Sequence, residues 1–162
     1  MSETKGLTHL SEAGEVHMVD VGEKAISRRR AVASAQVLMR PETVALARGG
    51  GLAKGDLEAT VRVAAIMAAK ETPRLIPLCH SLGLTAVEVQ LRWHLSGAEV
   101  EVAVETYAKT GVEMEAMVAA SVGALTLYDM VKGVERGVSI TAVALQEKSG
   151  GRSGLWRREG SP

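Results

Sequence analysis

"LTAVEVQLRWHLSGAEVEVAVETY", residues 84–107, decides how the rest of the chain is read. Val87, Val89, Leu91, Trp93 and Leu95 alternate with Glu88, Gln90, Arg92 and His94. Beyond a turn expected at Ser96-Gly97, Val100, Val102 and Val104 alternate with Glu99, Glu101 and Glu105. A period of two on both sides of a turn predicts a β-hairpin with one buried face and one wet face.

Upstream of the hairpin, "AVASAQVLMR" (31–40) has the texture of a strand, and "PETVALARGG" (41–50) that of a short helix opened by Pro41 and stopped by glycines. "KGDLEATVRVAAIMAAKETP" (54–73) predicts the first long helix, with Asp56 as N-cap, an apolar face through Leu57, Val61, Ala64 and Ala68, and Pro73 as its end. After the hairpin comes "TGVEMEAMVAASVGALTLYDMVKGV" (110–134), a long small-residue helix closed by Gly133 and Gly137, and then "VSITAVALQ" as a last strand. Strand, helix, hairpin, helix, strand is the order of a ferredoxin-like βαββαβ sandwich, an α+β fold. It has an antiparallel sheet with two long helices on one face, and here one short extra helix. Residues 1–30 are expected to form a mobile arm, 31–148 a single domain and 149–162 a flexible tail. There is no internal repeat.

Composition narrows the function. The chain has 162 residues and 46% are hydrophobic, as a single domain with a sizeable core requires. Lys plus Arg equals Asp plus Glu at 19 each, so no global field draws it to nucleic acid or an anionic membrane, and any anion site is local. Aromatic residues are 2% of the chain with no Phe, which argues against a base-stacking platform. A lone cysteine, Cys79, no signal-peptide pattern and no apolar run of about 18 residues point to a soluble protein of a reducing compartment.

The long helix raises the chemical question. At 100° per residue, Glu115, Val118, Val122, Leu125, Asp129 and Lys132 share one stripe. An Asp129–Lys132 pair at i, i+3 on a solvated last turn is the plain explanation, worth a few tenths of a kcal/mol. A charge beside apolar neighbours is the alternative, and it is kept only where it is paired and used. Glu115 and Asp129 are separated by ~21 Å of straight helix, so a two-fold dimer with antiparallel helices is one way to bring them to a single site.

Other residues are more ambiguous. Cys79 and His80 adjoin in "LIPLCHSLGL", but no CxxC or HxxxH accompanies them and His9, His17 and His94 lie in unrelated settings, so no metal site is expected. Cys79 reads as a buried small residue, His80 as a surface histidine or a proton carrier. Lys54 precedes a helix N-terminus suited to an anion, although an exposed lysine explains any single KGD. The Arg28, Arg29, Arg30 run is either solvated or closes over a phosphate, and Arg152 in the tail is weaker still.

Taken together, "LTHL…GEVHMVDV", "KGDLEATVRVAAIMAAKETPRLIPLCHSLGLT", "KTGVEMEAMVAASVGALTLYDMVKGV" and "KSGGRSGLW" resemble the cyclic pyranopterin monophosphate synthase family, the C protein of the early molybdenum cofactor pathway, from Leu7 to Trp156. The resemblance implies a cytoplasmic lyase, hexameric as a trimer of dimers with interfacial active sites. Its substrate would be 3',8-cyclo-7,8-dihydroguanosine 5'-triphosphate, rearranged to cyclic pyranopterin monophosphate with loss of diphosphate. It implies a catalytic Asp129 and Lys132, and substrate contacts from Leu78, Cys79, His80, Met114, Glu115, Glu113, Lys54 and Arg29. It implies no required cofactor, leaving open a magnesium ion that escorts the triphosphate, and neither a nucleic acid nor a membrane partner. Ser81, Ala86 and Arg152 depart from the family's common proline, glycine and lysine, and "SRRR" leaves open which of Arg28, Arg29 and Arg30 meets phosphate. The rival expectation is a ferredoxin-like module that binds a nucleotide or pterin without turnover.

Overall fold

The computed structural model describes residues 15–160; the expected "LTHL" motif and His9 lie outside them. The elements are β1 (Ser27–Leu38), α1 (Pro41–Arg48), α2 (Leu57–Leu75), β2 (Leu84–His94), β3 (Gly97–Ala108), α3 (Glu113–Val131), β4 (Ser139–Ser149) and β5 (Trp156–Arg157). They form one five-stranded sheet in the order β2-β3-β1-β4-β5, antiparallel throughout. This is the ferredoxin-like α+β arrangement, with α2 and α3 packed on each other and on the sheet.

Alternation decides which residues meet the helices. Ala31, Ala33, Ala35 and Val37 of β1 and Val100, Val102 and Val104 of β3 are fully buried beneath them. The facing side of α3 is equally small: Ala116, Ala119, Ala120, Gly123 and Ala124, then Leu127 and Val131. Small residues on both surfaces let the backbones come close, which is how a chain without Phe fills its core. A Cβ at Gly123 would stand 3.0 Å from Val100 Cγ1 and 3.4 Å from Ala65 Cβ. By length and mean hydropathy (1.3) α3 could cross a membrane, yet half of that window is buried inside the fold, as in the core helix of a globular domain.

The opposite face of the sheet is polar and covers itself with ion pairs. Arg28 meets Glu105 at 2.8 Å, Arg30 meets Glu147 at 2.8 Å, and Arg92 meets Glu101 at 2.6 Å. Gln146 Nε2 donates to Ser34 Oγ at 2.8 Å, and Ser34 is left 2% exposed.

Several boundaries differ from expectation, each for a local reason. The hairpin turns at Leu95-Ser96, because His94 pairs with Gly97; Leu95 is therefore a turn residue, 80% exposed, and not part of the buried alternation. Pro73 does not end α2, which runs to Leu75. A proline in the last turn removes one backbone donor only, and Ile76 N still reaches Thr72 O at 2.9 Å. The first strand begins at Ser27, since the arginines there pair with acids on β3 and β4. In the tail, Trp156–Arg157 pairs with Lys148 and Glu147 as a short edge strand.

Candidate active site

At the start of α3 the chain builds a cavity of about 340 Å³. Leu78, Cys79 and His80 line one wall, Glu113, Met114 and Glu115 another, and Val19, Val21 and Lys24 of the N-terminal segment close over it. Glu113 and Glu115 lie in the first turn of α3, where unpaired backbone N–H groups and the helix dipole favour negative charge. Glu115 is nonetheless 3% exposed, and that burial, aided by the charge of Glu113, raises its pKa above the ordinary carboxylate value. Burial first and Glu115 second also push the Cys79 thiol up, which disfavours a thiolate nucleophile. His80 Nε2 lies 2.9 Å from the carbonyl oxygen of Val19; a carbonyl only accepts, so Nε2 carries the proton.

A wider groove of about 1010 Å³ adjoins this cavity and shares Lys24, Thr110, Gly111 and Glu113 with it. Arg29, Lys109 and Arg152 also line it. Strand alternation separates the three arginines. Arg28 and Arg30 turn to the polar sheet face and pair with Glu105 and Glu147, whereas Arg29 lines the groove and donates to the carbonyls of Ala108 and Lys109.

The other end of α3 carries a different cluster. Asp129 Oδ2 meets Lys54 Nζ at 2.7 Å, and Oδ1 meets Lys132 Nζ at 2.6 Å. Hydrogen bonds from Lys132 and then Lys54 lower the Asp129 pKa to about 2, while Asp129 raises that of Lys132. All three side chains are about half exposed. The α3 stripe is also not the core-facing side. It begins buried at Glu115 and Val118 and emerges at Leu125, 58% exposed, and at Asp129. The charges thus sit on the flank of the helix, with an uncovered leucine between the two clusters.

Within the chain the proposed residues fall into two groups. Leu78, Cys79, His80, Glu113, Met114 and Glu115 surround one cavity with Arg29 in the adjoining groove, and Lys54, Asp129 and Lys132 form the other group. An unbroken helix puts ~21 Å between Glu115 and Asp129, too far for both to hold one small molecule. Among the described residues no three His, Cys, Asp or Glu side chains are grouped to hold a metal ion.

The MoaC family matches residues 18–151, a span that includes both clusters. The chain belongs to the MoaC family. It is 57% identical to the cyclic pyranopterin monophosphate synthase of Thermomicrobium roseum, over 94% of this chain and 93% of that one. It is 54% identical to the protein of the same name from Pelotomaculum thermopropionicum, over 96% and 92%. To cyclic pyranopterin monophosphate synthase 3 of Mycobacterium bovis it is 55% identical, over 94% and 86%.

In this MoaC-family chain the structure adds two lysines that sequence reasoning did not single out. Lys24 lines both the cavity and the groove, and nothing in its polar local sequence distinguishes it. Lys148 Nζ donates to Glu113 Oε1 at 3.1 Å. Nothing in its local sequence marks Lys148 either: it stands opposite Ala31 of β1, whose side chain faces the helices, and that register is what turns the charge inward.

Proposed function

We propose that the protein is a cyclic pyranopterin monophosphate synthase of molybdenum cofactor biosynthesis. It converts 3',8-cyclo-7,8-dihydroguanosine 5'-triphosphate to cyclic pyranopterin monophosphate and releases diphosphate. The names of its relatives support the reaction. The observation that carries the site is the division of its chemistry between the two ends of α3. A buried acid, a histidine and a cavity stand at one end, and two ammonium groups around an ionised aspartate stand at the other.

A two-fold partner with its α3 antiparallel would bring the start of one helix to the end of the other, and the exposed Leu125 gives that contact an apolar centre. The assembly in this reading is a hexamer made as a trimer of dimers, located in the cytoplasm. It needs no cofactor, and any magnesium arrives with the triphosphate.

Each group has a task that its environment suits. Substrate phosphates compete with Asp129 for Lys54 and Lys132. Drawing those ammonium groups away raises the proton affinity of the Asp129 carboxylate, so it can exchange protons with the rearranging ring system. Lys132 is the acid partner. Glu115, favoured in its protonated form by burial, and His80 hold the base and sugar. Arg29 and Lys54 stabilise the charge that builds on the leaving diphosphate.

The test is to incubate purified protein with the cyclised nucleotide and follow diphosphate. Steady release by the parent and none by Asp129→Ala is expected. Binding of the nucleotide without any release by the parent would sink this reading and favour a non-enzymatic binding module.

A further inference from the structure

The groove that contains Arg29 ends at a turn through Gly150 and Gly151, and the two glycines there do different things. Gly150 adopts φ +99, and a Cβ on it would collide with the backbone carbonyl of Arg28. Its lack of a side chain serves the sheet first, and a Cβ there would also stand 3.1 Å from Arg29 Cδ. Gly151 adopts φ +68, and what a Cβ would strike is not backbone but the guanidinium of Arg29. It would overlap Nη1 and stand 2.5 Å from Cζ and 2.8 Å from Nη2. The guanidinium thus lies against a bare backbone surface. Its opposite edge is held by the end of β3: Nε donates to Ala108 O at 3.4 Å and Nη2 to Lys109 O at 3.2 Å.

We propose that Gly151 is a positioning residue, which lets the Arg29 guanidinium occupy the one place where two backbone carbonyls fix its plane and its Nη1 donors remain for a phosphate oxygen. This rests on the reading that Arg29 meets the substrate's phosphates. A planar fork presents parallel donors to a phosphate only if its plane is set beforehand, and here the setting is done by backbone on both sides. Among the described residues no carboxylate pairs with Arg29, whereas Arg28 and Arg30 are both neutralised by glutamates. Arg29 keeps its charge for a ligand. Because the far end of a flexible side chain yields before backbone does, an added methyl at position 151 displaces the guanidinium and spares the sheet.

The experiment is calorimetric titration of inorganic triphosphate into the full chain and its variants at fixed ionic strength. Arg29→Ala and Gly151→Ala should each weaken binding by roughly tenfold, the value of one charge-assisted hydrogen bond. The double variant should lose no more than either alone, since non-additivity marks one residue acting through another. Gly154→Ala is the control. Its φ of +63 carries the same backbone cost, but nothing lies within 4 Å of the new methyl, so it should bind like the parent. Additive losses, a loss at Gly154 equal to that at Gly151, or parent-like binding by either single variant overturns the proposal, as does a parent that binds no triphosphate. If Gly151→Ala does not fold, Arg29→Lys decides, because it keeps the charge and loses the fork that reaches both carbonyls. It should bind as weakly as Arg29→Ala, and parent-like binding would refute the role. These titrations are independent of turnover. A chain that binds triphosphate through this pair yet releases no diphosphate from the cyclised nucleotide would refute the synthase reading and leave the pairing intact.

Discussion

Lys54 reaches from the loop before α2 to the last turn of α3, where its Nζ lies 2.7 Å from Asp129 Oδ2 and 2.6 Å from the carbonyl oxygen of the same residue. One ammonium group thereby satisfies both a carboxylate and a helix-terminal carbonyl, and Lys132 closes on the other carboxylate oxygen. This clasp sets the resting charge of the cluster at the end of α3.

Asp129→Asn keeps the shape of the cluster and removes its negative charge. Diphosphate release should fall by roughly 10²–10⁴-fold, the usual contribution of a general acid or base. Affinity for inorganic triphosphate should rise, since two lysines lose their internal competitor. Parent-like turnover would remove Asp129 from the chemistry.

The Asp129 carboxyl should titrate at about 2, below its ordinary 3.8, when followed by carboxyl NMR. With the folded value depressed, its contribution to stability is complete above about pH 3.8 and is lost as pH falls through 2. Lys132→Met and Lys54→Met should each move the midpoint upward, Lys132→Met by more, because its hydrogen bond is the larger cause. An unmoved midpoint in both variants would contradict the clasp.

Glu115 has the opposite sign. Its folded pKa lies above the ordinary 4.5, so its carboxylate opposes folding at neutral pH, and Glu115→Gln should raise the unfolding temperature at pH 7. The gain should shrink as pH falls and vanish below about 4.5, where the parent side chain is also neutral. Each ~1 kcal/mol would appear as roughly 2–4 °C in a chain of this size. A gain that is the same at pH 4 and pH 7 would rule out the burial argument.

Mixing subunits tests the division of the site. Asp129→Ala and Glu115→Ala chains, each inactive alone, should regain part of the activity once exchanged into mixed dimers, through the sites that collect both intact residues. Proven mixed dimers without activity would place the two residues in separate functions.

Close packing at Gly123 is a test of the fold alone. Gly123→Val inserts a branched side chain where even a Cβ meets Val100 at 3.0 Å, and should cost about 1–3 kcal/mol in urea unfolding. An unchanged midpoint would mean that α3 can move off the sheet freely.

Local order in the chain was enough to specify the architecture. The period of two from Val87 to Val104 marked the hairpin, and Asp56 marked the start of α2, where Oδ1 does accept from Ala59 N at 3.0 Å. Small residues from Ala116 to Ala124 marked a helix that packs closely, and the MoaC motifs announced the family. These are properties of neighbours in sequence, and periodicity reports them directly. It was less reliable at chain reversals. The turn moved by one residue onto Leu95, and Pro73 was absorbed into a last helical turn, because both outcomes depend on backbone hydrogen bonds that side-chain type only biases.

The arrangement of the site was a tertiary decision. Neighbours in a strand take opposite faces, so Arg29 parted from Arg28 and Arg30 only because pairing with β3 and β4 carries β1 back to Ser27 and makes the arginine run part of it. Only the docking of the loop before α2 onto the end of α3 brought Lys54 to Asp129, across a sequence separation no local pattern spans. Likewise, Lys148 and Gly151 acquire their partners, Glu113 and Arg29, only once β4 and the turn after it run back along β1. Sequence determined which groups this protein has and which element carries each one; proximity in space, which sets their charge and their orientation, came from the folding of the chain onto itself.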